Sequence, residues 1–202
     1  MAKLTKNEKY IVDMYVRYFG KAPSVAEIAK YNEFGKPKLI LSEIIKEYND
    51  SKPVSPTDQV NSVFQNLFGR DAKPNEMKKY TKVVEKGKDL PINAIVKAAK
   101  KDDKGAFEAK KAFAIMLAEN GNASNYVLDK ITVDTYEVVY NLKTKKLLVD
   151  SVADLETKID AIPDNGNATG QTFTLTASTT GDTHIGTEKS DLFNATTLNS
   201  LQ

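Results

Sequence analysis

Apolar positions recur at three- and four-residue spacing from residue 5 to residue 160, and at two-residue spacing only near the C-terminus. The first spacing places apolar side chains on one stripe of a helix, the second on one face of a strand. The pattern predicts helices near residues 6–19, 24–34, 38–49, 56–68, 75–86, 91–100, 104–119 and 124–140, with a short one near 151–160. Local chemistry supports the boundaries. Thr5-x-x-Glu8 and Ser24-x-x-Glu27 fit capping boxes, in which hydroxyl and carboxylate satisfy orphan amides of the first turn. Ser55-Pro56-Thr57-Asp58 joins an N-cap candidate to a proline at the first helical position. Gly20, Gly35, Gly69 and Gly87 each follow an apolar run, where a left-handed cap ends a helix. The 104–119 helix is the most apolar and is expected at the centre. Residues 131–140 are rich in β-branched side chains and fit a strand as well, although helix is preferred there.

One unit occurs twice. Tyr15-Val16-Arg17-Tyr18-Phe19-Gly20-Lys21, with Glu27 and Lys30-Tyr31, is matched by Phe64-Gln65-Asn66-Leu67-Phe68-Gly69-Arg70, with Glu76 and Lys79-Tyr80. Phe19 to Phe68, Glu27 to Glu76 and Tyr31 to Tyr80 are each a 49-residue step. Leu41, Ile44 and Ile45 close one copy, Ile92, Ile95 and Val96 the other. A repeat of this length is a helical unit that cannot bury its own apolar face and stacks on its neighbour. The expected fold class is therefore mainly α: a helical repeat bundle of about eight to nine helices, followed by a short β segment. The expected organisation is a helical domain over 1–162, with repeats near 8–50 and 57–100.

Near Ile162 the character changes. Residues 163–170 (Pro163-Asp164-Asn165-Gly166 to Gly170) read as a linker. Thr172-Phe173-Thr174-Leu175-Thr176 alternates with a strand's period, and 171–202 reads as the start of a Thr-rich β region cut from a longer architecture. Charge divides at the same place. Residues 161–202 hold four acids and one lysine, leaving 28 basic and 23 acidic residues in 1–160, or +5. There is no Cys, which excludes disulfides and thiolate metal sites. The lysine-rich first ten residues lack the apolar core of a secretory signal, and no run approaches the ~20 apolar residues of a membrane span.

Several residues together carry a likeness. Gly20-Lys21-Ala22-Pro23 on a helical N-terminal body resembles the start of crystalline surface-layer (S-layer) proteins of the Caulobacter type. Gly170-Gln171-Thr172-Phe173-Thr174-Leu175-Thr176, Gly181-Asp182-Thr183, Gly186-Thr187 and Asp191-Leu192-Phe193 are similar to the junction of such proteins with calcium-binding β-roll (RTX) repeats. The resemblance implies a structural, non-enzymatic role: anchoring a secreted lattice to outer-membrane lipopolysaccharide or related polysaccharide. It also implies export by a type I system reading a C-terminal signal, residence on the bacterial cell surface, and other copies of the chain as partners. Calcium is the implied cofactor. The β-roll turn pattern Gly-Gly-x-Gly-x-Asp survives here only as Gly186 and Asp191, so calcium is expected more in a longer protein than in these residues. The alternative is the helical N-terminal region of a type I-secreted enzyme, toxin or adhesin whose active part lies beyond residue 202.

Candidate site residues follow from the repeat. Tyr15, Tyr18, Tyr31 and Tyr80 recur at helical spacing, which fits either core packing or rings stacked on sugar faces, with the hydroxyl free to hydrogen-bond. Lys21 and Arg70 then meet acidic sugar or phosphate groups, or simply oppose a helix dipole. Phe19 and Phe68 are expected in equivalent buried positions. Lys73, Lys78, Lys79, Lys82, Lys86 and Lys88 cluster on one helix and its exit, as a solvated face or a surface for an anionic partner. Interspersed acids and the modest +5 argue against nucleic acid. Asp182 and Asp191 are the candidate metal ligands, Glu188 a weaker one, since carboxylates in Gly/Thr-rich turns suit a hard cation. No phosphate loop, dinucleotide fingerprint or nucleophile elbow is present, and the only histidine, His184, has no cysteine to pair with.

Overall fold

A computed structural model describes residues 3–122 and 124–162, together with strands at 172–175 and 192–195. It is mainly helical and divides into two units, residues 1–159 and 160–202. The first unit contains α1 (Lys6–Phe19), α2 (Val25–Asn32), α3 (Pro37–Ser51), α4 (Pro56–Phe68), α5 (Pro74–Glu85), α6 (Ile92–Ala98), α7 (Lys101–Glu119) and α8 (Tyr136–Val139). Strands β1 (Tyr140–Asn141) and β2 (Lys146–Leu147) then form a small antiparallel hairpin, and α9 (Val152–Asp160) closes the unit.

The sequence signals act where they were read. Thr5 and Ser24 each accept the N–H of the residue three on, while Glu8 and Glu27 return a carboxylate to the cap amide. Gly20 and Gly69 end α1 and α4 at φ +64° and +67°, a left-handed conformation that glycine adopts without a Cβ penalty. Their N–H groups donate to Val16 and Gln65. The left-handed glycine after α1 and α4, and the first-turn carboxylate of α2 and α5 (Glu27, Glu76), are the devices the two copies share.

The centre is shared rather than belonging to the 104–119 helix alone. α1 packs against α2, α3, α4, α6 and α7, and α7 packs against α1, α4, α8 and the hairpin. Ile11, Val12 and Val16 of α1 are wholly buried, as are Ala106, Phe113 and Ala114 of α7. A large aliphatic or aromatic side chain moved from water into this setting contributes ~1.5–3 kcal/mol, so the residues buried where α1, α4 and α7 meet contribute strongly to the fold.

The expected 124–140 helix is not formed; only the single turn of α8 is helical. Its hydroxyls bind backbone groups instead. Thr135 Oγ1 donates to Lys130 O and accepts from the Thr132 N–H, and the Asp134 N–H donates to Thr132 Oγ1. Such local bonds compete with the helical ladder. Tertiary pairing takes the rest: Val127 bridges Lys21, the Ala22 N–H donates to Tyr126 O, and the Leu128 N–H donates to Gly20 O. The helix expected from 104 starts earlier, at Lys101.

In the second unit β3 (Thr172–Leu175) pairs in parallel with β4 (Leu192–Ala195). Thr172 lies against Leu192, Phe173 against Phe193, Thr174 against Asn194 and Leu175 against Ala195, a constant 20-residue step.

Candidate functional site

The repeated aromatics form two matched clusters inside the first unit. Tyr15 lies 4.6 Å from Phe19 and 6.2 Å from Tyr31, ring centre to ring centre. At the matching positions Phe64 lies 5.7 Å from Phe68 and 5.9 Å from Tyr80. These tilted and edge-on arrangements are the favourable ones for aromatic pairs. Tyr15, Tyr18, Tyr31 and Tyr80 are all buried, so the sugar-platform reading of these four is corrected: their ring faces contact protein. The Tyr15 hydroxyl donates to Glu27 and that of Tyr31 to Glu47 at 2.7 Å. Burial first, and those carboxylates second, push both phenols well above their ordinary range. Phe19 and Phe68 are not equivalent. Phe68 is 1% exposed, whereas Phe19 is only partly buried against Tyr15 and Tyr48.

The first-turn carboxylates explain a second divergence. Glu27 and Glu76 occupy the same place in α2 and α5 and accept from the Ser24 and Lys73 amides at 2.6 and 2.8 Å. In the first repeat the buried phenol of Tyr15 reaches Glu27. In the second, phenylalanine stands at that position and Arg70 supplies the partner. Arg70 donates to Glu76 at 2.8 and 3.1 Å and to Asp103 of α7 at 2.6 and 2.7 Å. Its guanidinium lies over Phe64 and Phe68, 5.1 and 5.5 Å from the ring centres. The hydrogen bonds to Asp103, and then those to Glu76, raise its pKa against the opposing effect of burial. Arg70 is thus an internal clamp between α5 and α7, which corrects its reading as an anion-binding residue. Asp102, its neighbour, accepts from the Tyr136 hydroxyl at 3.2 Å.

Of the candidate ligand-binding residues, Lys21 and Lys79 remain exposed, and they lie on different elements. Lys79 rests 4.8 Å over the Tyr80 ring, as Lys30 does over Tyr31. Asp182 and Asp191, the candidate metal ligands, lie outside the described residues, as does His184. Among the described residues no group of three or more His, Asp or Glu side chains is placed to hold a metal ion. Among them, too, no helix is long and apolar enough to cross a membrane.

The exposed charge separates the two repeats. Residues 23–52, spanning α2 and α3, hold five lysines and five acids, net zero. Residues 72–101, the same stretch 49 positions on and spanning α5 and α6, hold nine lysines and three acids, net +6. All nine are exposed, and none forms an ion pair among the described residues. Two of the three acids are already engaged, Glu76 by Arg70 and Asp89 by Lys52 at 3.1 Å. Since one helical plan is built with and without this charge, packing does not require it. Beside it, α1, α6 and α7 frame a cleft of about 340 Å³ lined by Arg17, Asn93, Lys97, Lys104, Phe107 and Glu108, with Val96 and Ala99.

Sequence reasoning passed over Lys110. It is 1% exposed in the middle of α7 and donates to Gln65 O at 2.9 Å and Asn66 O at 3.0 Å. Burial pushes its pKa down to about 7, while Asp129 acts in the opposite sense. A shifted, buried lysine is often a functional group. This one is enclosed, and its amino group donates to carbonyls in the last turn of α4, where the helical ladder runs out. Its only sequence signal is a lysine on the apolar stripe of a helix. Comparison of the chain with protein-family models, with curated proteins and with solved structures found no match.

Proposed function

We propose that this chain is the anchoring part of a secreted bacterial surface-lattice protein, and that its second repeat meets an anionic envelope polysaccharide such as lipopolysaccharide. The observation that carries the reading is the +6 charge on residues 72–101 beside zero on their structural counterparts. Charge that packing does not need, exposed and outside any ion pair, is a surface for a polyanion. The second unit adds support. Parallel strands in register at a 20-residue step match one turn of a stacked β architecture, in which each turn pairs with the next. A helical body followed by such a unit suits a surface protein better than an enzyme. Copies of the same chain are the further partners in this reading. Calcium belongs to it too, with Asp182 and Asp191 as weak ligands that a continuing β-roll would complete.

The test uses residues 1–202 on immobilised lipopolysaccharide from the source organism. Retention at physiological salt is expected, falling as ionic strength rises because the contacts are exposed. The triple variant K78E/K79E/K82E should lose retention, while K30E/K38E/K46E on the first repeat should keep it. No retention of the wild-type chain, with its helical circular dichroism intact, removes the anchoring reading. Calorimetry with calcium should give no micromolar site. One abolished by Asp182→Asn or Asp191→Asn would place a complete site within these residues.

A further inference from the structure

The cleft between α1, α6 and α7 combines three features. It is small: about 340 Å³ lies at the lower end of ligand sites, which run ~300–1,000 Å³, and suits a single sugar unit rather than an oligosaccharide. Its walls mix Val96, Ala99 and the buried Phe107 with polar side chains that converge from all three helices. Its charge is uncompensated. Arg17 is neutralised by Asp13, to which it donates at 3.0 and 2.9 Å, and Glu108 is held by Lys111 at 2.6 Å. Lys97 and Lys104 have no hydrogen-bond or ion-pair partner among the described residues, so two positive charges remain.

Donors are also in place. A guanidinium has five N–H groups; Arg17 commits three of them, two to Asp13 and one to Asn93 Oδ1 at 3.1 Å. The bond from Arg17 occupies the Asn93 oxygen and leaves its NH₂ as a donor. Arg17 is itself fixed 5.2 Å over the Phe107 ring. A pre-set guanidinium, an amide NH₂ and two exposed, unpaired ammonium groups around a sugar-sized space match a group with a compact double negative charge and several acceptor oxygens. We infer that this cleft binds a phosphate monoester carried on a single sugar unit. The inference deepens the anchoring reading, on which it rests for the source of the ligand: a phosphorylated sugar of the envelope polysaccharide rather than a free sugar phosphate.

The probes are glucose 6-phosphate, glucose and inorganic phosphate, each titrated into the isotope-labelled 1–202 chain while backbone amide shifts are followed. Glucose 6-phosphate should give saturable shifts within residues 93–108, and glucose none. Lys97→Ala with Lys104→Ala should weaken the binding roughly tenfold, as expected of two exposed ammonium–phosphate contacts. Lys38→Ala with Lys46→Ala, on α3 of the first repeat, should leave it unchanged. Shifts that scatter over many lysines without saturating, equal binding of glucose, or an unaffected Lys97/Lys104 double variant would overturn the inference. A second arm uses lipopolysaccharide before and after chemical dephosphorylation. The double variant should be retained less than wild type on the phosphorylated form only; equal retention on both forms overturns the envelope source. Retention on lipopolysaccharide without saturable glucose 6-phosphate binding defeats this inference alone. Saturable binding without retention defeats the anchoring reading instead.

Discussion

Replacing Arg70 by alanine separates an internal clamp from a surface ion pair. The side chain is 13% exposed, and its partners Glu76 and Asp103 are 23% and 19% exposed. Exposed pairs contribute ~0–1 kcal/mol, whereas stripping one partner from a buried pair costs ~3–5 kcal/mol. The Arg70 network lies between these limits but includes two carboxylates, and the guanidinium also covers Phe64 and Phe68. About 3 kcal/mol is therefore expected for Arg70→Ala. For a unit of this size that lowers the melting temperature by roughly 6–12 °C. Arg70→Lys keeps the charge but cannot fork across both carboxylates, and should lose about half as much. Arg70→Met restores apolar cover and should fall between alanine and lysine. Thermal unfolding followed by circular dichroism at pH 7 measures all three. The pH dependence adds a second readout. Burial alone would raise the Glu76 carboxyl, but Arg70 and the Lys73 amide outweigh it and hold it below the ordinary range. That stabilisation is present above the unfolded carboxyl's pKa, ~4.3, and lost as pH falls through the folded value. Arg70→Ala should flatten this acid limb. If alanine and methionine variants both melt within about 2 °C of wild type with an unchanged acid limb, the clamp is only a screened surface contact.

Three further outcomes are expected. Phe68→Ala should cost ~3–5 kcal/mol and Phe19→Ala clearly less, because only Phe68 is fully enclosed; equal losses in urea titrations would show that the two repeats share the core equally. Gly105→Ala should destabilise more than Gly35→Ala, although only Gly35 has a positive φ. A Cβ at Gly105 would come 2.2 Å from the Tyr136 ring, whereas at Gly35 it meets open space, and the order of their melting temperatures decides the matter. Stability should rise from pH 7 to about 9.5, because unfolded Lys110, at its ordinary pKa of ~10.4, holds a proton that the folded form releases near 7. Above ~10 the trend should reverse, as unfolded tyrosines ionise while buried Tyr15 and Tyr31 stay protonated. Lys110→Met should abolish the rise, and an unaltered profile in that variant would refute the assignment.

The local choices were legible in the sequence because they depend on neighbours within one or two turns. The helices at 6–19 and 56–68 begin and end where caps and glycines place them, and the alternation at 172–175 appears as β3. The repeat was legible too, since a unit that needs the same partner at each step keeps the same apolar positions. What residues 124–140 became was not legible. Helical spacing there lost to Thr132 and Thr135 bonding their own backbone and to pairing with the end of α1, a segment about a hundred residues earlier. Nor could spacing say which side of an aromatic faces water. Tyr15 and Tyr31 present the same pattern whether they line a groove or fill a core. Their burial was decided by how α1, α2 and α3 close over them and by Glu27 and Glu47 reaching their hydroxyls. Arg70 and Lys110 were settled in the same way. A cation written in a sequence is a free charge until the chain brings carboxylates or carbonyls to it, and only packing decides which lysines keep theirs exposed.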